Sequence, residues 1–254
     1  MKIEFSTCRI RTAANATACA ALLSCNVSLV HAQLVESFDA VTSLTPATTD
    51  GTLTASGWMG ALRSDPLGVT GIFQGVASVF ASHSGPPEGY MAMNFNNTTD
   101  DNTISTWAMS PVLIMSNGDT FSFYTRVPTG GGIFPDRLEV RRNGADASLD
   151  VGTTAQSVGD FTDLLLTINP ALTATGYPET WTQFSVTISG LTGPTPGRLG
   201  FRYFVENGGP AGANSNYIGI DSFQYSGVPE PHEYALMAGL GLIGFAFWHR
   251  RTAK

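Results

Sequence analysis

The sequence predicts an all-β domain of the β-sandwich class, and three observations predict it. Short strand-like runs recur from Gln33 to Gly227, punctuated by Gly, Pro, Asn and Asp. No stretch of that interval sustains a helical period. Charged residues make up only 13% of the 254-residue chain. The remainder is rich in Gly, Thr, Ser and Asn, which suits strands and turns better than helices. The interval is long enough to bury a core without covalent staples. All three cysteines, Cys8, Cys19 and Cys25, lie ahead of it.

Taken in order, residues 1–32 read as a signal peptide. Lys2, Arg9 and Arg11 precede an Ala/Leu-rich stretch interrupted by Asn15 and Asn26. Val30-His31-Ala32 then gives a cleavage pattern before Gln33. Residues 33–227 form the domain. Thr120–Val127 alternates polar with apolar as a half-buried strand does. Arg137–Arg141 alternates too and ends at Asn143-Gly144, a hairpin signal. Its Arg137, Glu139 and Arg141 predict an ion-pair ladder on a solvent-facing strand surface. Gln183–Ile188, Arg198–Val205 and Tyr217–Tyr225 are further strands. Phe161–Ile168 could be a short helix or turn instead of a strand, because Leu164-Leu165-Leu166 does not alternate. Gly130-Gly131-Gly132 reads as a turn, and Asp100-Asp101-Asn102 as a solvated one.

Residues 228–254 form a tail. Pro229 and Pro231 end the strand pattern, and an apolar run follows from Tyr234 to Trp248. A bilayer core needs about 20 residues, so this run is short. Its Gly239, Gly241 and Gly244 are nevertheless tolerated in membrane helices, and Arg250 and Arg251 can snorkel to extend the span. The basic end stays cytoplasmic, which places everything upstream outside. The sequence therefore predicts one short C-terminal transmembrane helix.

This tripartite tail resembles the PEP-CTERM sorting signal of biofilm-forming Gram-negative bacteria. The matching residues are Pro229, Glu230 and Pro231, the helix 234–248, and the basic Arg250 and Arg251. The resemblance implies an exosortase-type processing protease as a partner. It also implies brief anchoring in the inner membrane, then the cell surface or the extracellular matrix. The domain itself is similar to choice-of-anchor J domains. The resemblance rests on Glu36-Ser37-Phe38-Asp39, Gly57-Trp58, Trp107–Pro111, Asn117–Thr120, Phe123–Arg126, Asp136–Arg141, Gly197–Tyr203 and Tyr217–Asp221. It implies a jelly-roll-like β-sandwich ectodomain.

Composition excludes several functions. Between Gln33 and Gly227 seven Arg and no Lys stand against seventeen Asp and Glu, a net charge of −10. Such a domain repels phosphate backbones, which rules out general nucleic-acid binding. His83 is the single histidine of this interval, and there is no cysteine, so His/Cys zinc sites and cysteine nucleophiles are excluded. No Gly-x-Ser-x-Gly elbow accompanies His83, which reads as a plain loop residue. The chain is read as a non-enzyme. Seventeen acidic residues make a carboxylate pair inevitable somewhere, so spacing alone does not define a glycosidase.

Two candidate sites remain. By analogy with related jelly-roll modules, calcium would be held by Glu36, Asp39 and Asp221; the alternative for Asp221 is pairing with an Arg such as Arg202, or with backbone donors. Trp58, Trp107 and Trp181 are candidates for stacking on sugars, with burial in the core as the alternative. The reading is an exported surface or matrix protein, with exopolysaccharide a candidate partner and a carbohydrate-binding or adhesin module as the alternative.

Overall fold

The computed structural model describes residues 33–144 and 147–228, with positions 239, 241–243, 245, 248–250 and 252 near the C-terminus. The expected signal peptide and the Pro229-Glu230-Pro231 motif lie outside the described residues. The described positions from 239 to 252 are helical, with Leu242, Ile243, Phe245 and Trp248 exposed. Among the described residues no helix is long and apolar enough to cross a membrane.

The domain is a sandwich of two antiparallel sheets. In chain order its strands are β1 (Gln33–Glu36), β2 (Asp50–Thr52), β3 (Met59–Leu62), β4 (Asp65–Leu67), β5 (Phe73–Gln74), β6 (Met91–Asn94) and β7 (Thr98–Met109). They continue with β8 (Leu113–Met115), β9 (Thr120–Arg126), β10 (Leu138–Asn143), β11 (Asp163–Ile168), β12 (Thr182–Thr187), β13 (Thr195–Gly208) and β14 (Tyr217–Ser226). One sheet runs β12-β9-β14-β6-β5, with β1 added to β14 beyond the end of β6. The other runs β11-β10-β13-β7-β3-β2, with β4 on β7 and β8 on β13.

Alternation in the sequence becomes inside and outside in the fold. Along β9, Phe121, Phe123 and Thr125 point into the sandwich and are buried, while Ser122, Tyr124 and Arg126 point out. Between the sheets, Trp58 packs edge-on against Phe38 and Phe223, both 5.0 Å away between ring centroids, and against Phe201 at 5.7 Å. Both outer faces are partly covered. Val151 and Phe161, from the segment after β10, pack on Trp107, Met109 and Ala61 outside the larger sheet. Phe80, from the segment between β5 and β6, packs with Tyr90, Ala92 and Tyr217 outside the smaller one.

Several expectations need correction. Asn143-Gly144 does not close a two-residue hairpin; β10 does pair with β11, but only after the covering excursion through Phe161. The helix or turn alternative for Phe161–Ile168 is not what forms, since Asp163–Ile168 is the edge strand β11. Its missing alternation has a physical cause. Val140 faces Leu166 and Arg141 faces Leu164, so Leu165 is the extra residue of a bulge. Asp100 and Asp101 are solvated, as expected, but lie within β7, with Asp100 left-handed at φ 49°. The ladder Arg141–Glu139–Arg202 exists, yet the excursion covers it: Glu139 is 7% exposed and Arg202 2%.

Candidate functional site

The outer face of the smaller sheet is built in rows. Across β12, β9 and β14, Gln183, Tyr124 and Asp221 form one row. Ser185, Ser122 and Gln224 form the next, extended by Val35 of β1, and Thr187, Thr120 and Ser226 form the last. Above the first row the segment 81–84 crosses three strands as a strap. Trp181 Nε1 donates to Ala81 O at 2.9 Å on the β12 side. The His83 ring lies flat on Tyr124 of β9, centroids 3.5 Å apart. On β14, Asp221 Oδ2 accepts the backbone N–H groups of His83 and Ser84 at 2.8 and 3.1 Å.

Behind the strap the face is closed by aromatic rings. Phe80 stacks on Tyr90 at 4.9 Å and meets Trp181 edge-on at 5.5 Å. The Arg126 guanidinium sits 4.5 Å over the Phe80 ring and donates to Glu179 O. In front of the strap the last two rows are open, and Ser185, Gln224, Val35, Thr187, Thr120 and Ser226 are all exposed. Amide, hydroxyl and aromatic groups thus border one another on a surface with no ionisable side chain in its open rows.

Asp221 is the strap's anchor. It is fully buried, and its Oδ1 also accepts from the N–H and Oγ of Ser222. Burial pushes its carboxyl above the usual range, against the pull of the N–H groups of Ser84, His83 and Ser222. Ser222 is left-handed at φ 52°, where the β9–β14 register shifts, and its Oγ meets His83 Nδ1 at 2.9 Å. Ser, His and Asp therefore come together here, which sequence reasoning missed because His83 and Ser222 lie 139 positions apart. The arrangement is a latch rather than a hydrolytic triad. Asp221 commits its oxygens to backbone N–H groups, and those same groups are then engaged rather than free to form an oxyanion hole.

Glu36, Asp39 and Asp221 are not gathered around a common point. Among the described residues no group of three His, Cys, Asp or Glu is placed to hold a metal ion. Glu36 accepts from Phe38 N–H at 3.0 Å and from the Ser56 hydroxyl. Asp39 abuts the strap loop, where Gly85 is left-handed at φ 84° and a Cβ would collide with the Asp39 carboxylate. Asp221 does not pair with Arg202, which lies on the other sheet with Glu139. Asp221→Asn sets an amide N–H₂ or a weaker acceptor against the strap's donors. A loss of about 2 kcal/mol is expected in urea denaturation, with chelator or with calcium. A calcium-dependent stabilisation that vanishes in this variant would instead make Asp221 a metal ligand.

Of the three candidate tryptophans, Trp58 and Trp107 are fully buried and present no ring face to a ligand. Trp58 fills the core, and Trp107 packs under Phe161 at 5.6 Å between centroids. Only Trp181 is half-buried at the candidate face, where it holds the strap.

No family model matches the chain, and no curated relative does. Several solved structures resemble it at low identity. The K1 cleaved adhesin domain of Lys-gingipain from Porphyromonas gingivalis W83 is 17% identical over 77% of this chain and 98% of that one, with a TM-score of 0.45. The CBM22-1 xylan-binding domain from Paenibacillus barcinonensis Xyn10C is 16% identical over 76% and 92%, with a TM-score of 0.36. A carbohydrate-binding module of the β-sandwich superfamily is 12% identical over 68% and 58%, with a TM-score of 0.42. With TM-scores below 0.5, none of these likenesses bears on function here.

Proposed function

We propose that this chain is an exported, non-catalytic carbohydrate-binding or adhesive module of the cell surface or extracellular matrix. The outer face of the smaller sheet is its binding surface. The single observation that carries the reading is the open shelf of amide and hydroxyl groups beside the His83–Tyr124 stack. Sugars are recognised by that combination, with polar groups for the hydroxyls and ring faces or edges for the C–H surfaces. The Pro229-Glu230-Pro231 motif, the apolar run after it and the basic end support export, with transient inner-membrane anchoring and processing by an exosortase-type protease.

A glycan array probed with residues 33–227 tests the reading. Binding is expected, and His83→Ala, which strips the ring from Tyr124, is expected to weaken it about tenfold. An array with no signal above a denatured control would remove it. The sorting part is checked by the intact mass of the protein recovered from outside its host, which should lack both residues 1–32 and the sequence beyond the Pro-Glu-Pro region.

A further inference from the structure

We infer that the ligand of this face is an uncharged glycan, read over about three sugar rings that lie across the strands alongside the strap. The inference rests on the carbohydrate-binding reading and narrows it by charge, direction and length.

Charge comes first. An anionic polymer, rich in uronate or sulfate, binds through free cations, and the domain has none to offer. It has no Lys, and each of its seven Arg is engaged elsewhere. Arg63 pairs with Asp50, Arg137 with Glu206, Arg142 with Asp163, and both Arg141 and Arg202 with Glu139. Arg126 is held over Phe80 and donates to Glu179 O, while Arg198 donates to Ser110 O and Ala147 O. Beside the strap loop the charge is the carboxylate of Asp39, against Gly85 and Gly89, which repels an anion. An uncharged chain pays no such penalty, and Gln183, Ser122, Ser185 and Gln224 supply both donors and acceptors to its hydroxyls.

Direction and length follow from the geometry. The strap closes the shelf on one side, so only two rows stay open, separated by about 7 Å along the strands. Across β12, β9, β14 and β1 the outermost strands lie about 14 Å apart at a spacing of about 4.8 Å, the reach of about three sugar rings. The long dimension of the shelf therefore runs across the strands, parallel to the strap, and neither end of that path is walled by it.

Calorimetric titration of residues 33–227 tests this with gluco-, manno- and galacto-oligosaccharides from disaccharide to hexasaccharide, and with polygalacturonate, at low and high salt. Affinity for at least one neutral series should climb to the trisaccharide, level off beyond it, and stay constant with salt. Gln183→Ala and Gln224→Ala remove exposed side chains and leave the fold intact. Each should weaken the trisaccharide by about fivefold. Affinity that keeps rising to the hexasaccharide, or polygalacturonate binding that fades with salt, would overturn the inference while leaving carbohydrate binding standing. Titrations silent for every sugar would overturn both.

Discussion

Between about pH 4 and about pH 7 the domain is expected to lose about 4 kcal/mol of stability through one carboxyl group, that of Asp136. The group is 1% exposed, between the sheets. Its Oδ1 accepts the Tyr203 hydroxyl at 2.6 Å and the Asn216 N–H at 2.8 Å, while Oδ2 has no partner. Burial raises its pKa from 3.8 to about 7, although both hydrogen bonds pull the other way. A carboxyl whose folded value is raised is most favourable when protonated. Its contribution is therefore complete below about pH 4 and disappears as pH rises through about 7. Asp136→Asn keeps an acceptor for Tyr203 and cannot ionise. Urea denaturation of the two proteins across this range should show the wild type falling relative to the variant; parallel profiles would contradict the prediction.

Removal of Glu139 is expected to cost about as much, and the pH dependence of this carboxyl has the opposite sign. Arg202 is buried, stacked 3.7 Å from the Phe204 ring and 5.1 Å from Trp107, with its remaining donors on Ser105 Oγ and Ala155 O. Burial depresses its pKa to about 10, and Glu139 opposes that. Burial also pushes the Glu139 carboxyl up, but Arg141 and Arg202 outweigh it and hold the carboxyl below its usual value. That stability is present above the unfolded pKa and is lost as pH falls. Glu139→Ala leaves a buried guanidinium unpaired and should cost about 3–5 kcal/mol. The double change Glu139→Leu with Arg202→Met removes both charges and should recover most of that loss. If the double variant is no better than the single one, the ion pair is not the source of the effect.

How much of this was legible in the sequence depends on distance along the chain. Strand β9 falls where Thr120–Val127 alternates, because period two is a local property of the backbone. Leu164–Leu166 misled because its irregularity comes from a bulge against β10, which only the pairing partner reveals. Asp221 was singled out as a carboxylate needing a partner, and it has several. They come from the 83–84 strap rather than from Arg202, and no residue pattern announces a contact that spans 138 positions. Asp136 and Tyr203 meet across 67 positions and gave no signal. The tryptophans differ for a similar reason. Trp58 and Trp107 enter the packing on and between the sheets, while Trp181 flanks β12, an edge strand, and keeps part of its surface.

The placement of β14 also sets how the domain bears a mechanical load. This strand lies inside its sheet, bonded to β9 along one edge and to β6 and then β1 along the other. Just past it, the Val228 N–H is clamped at 2.9 Å by Asp119, whose other oxygen takes the Tyr225 hydroxyl. Antiparallel hydrogen bonds run perpendicular to their strands. A pull on Val228 along β14 therefore shears both ladders at once instead of unzipping them bond by bond. A domain towed by its C-terminal end is gripped by the strand hardest to draw out, and Gln33, paired with Ser226, is among the first residues to share the load.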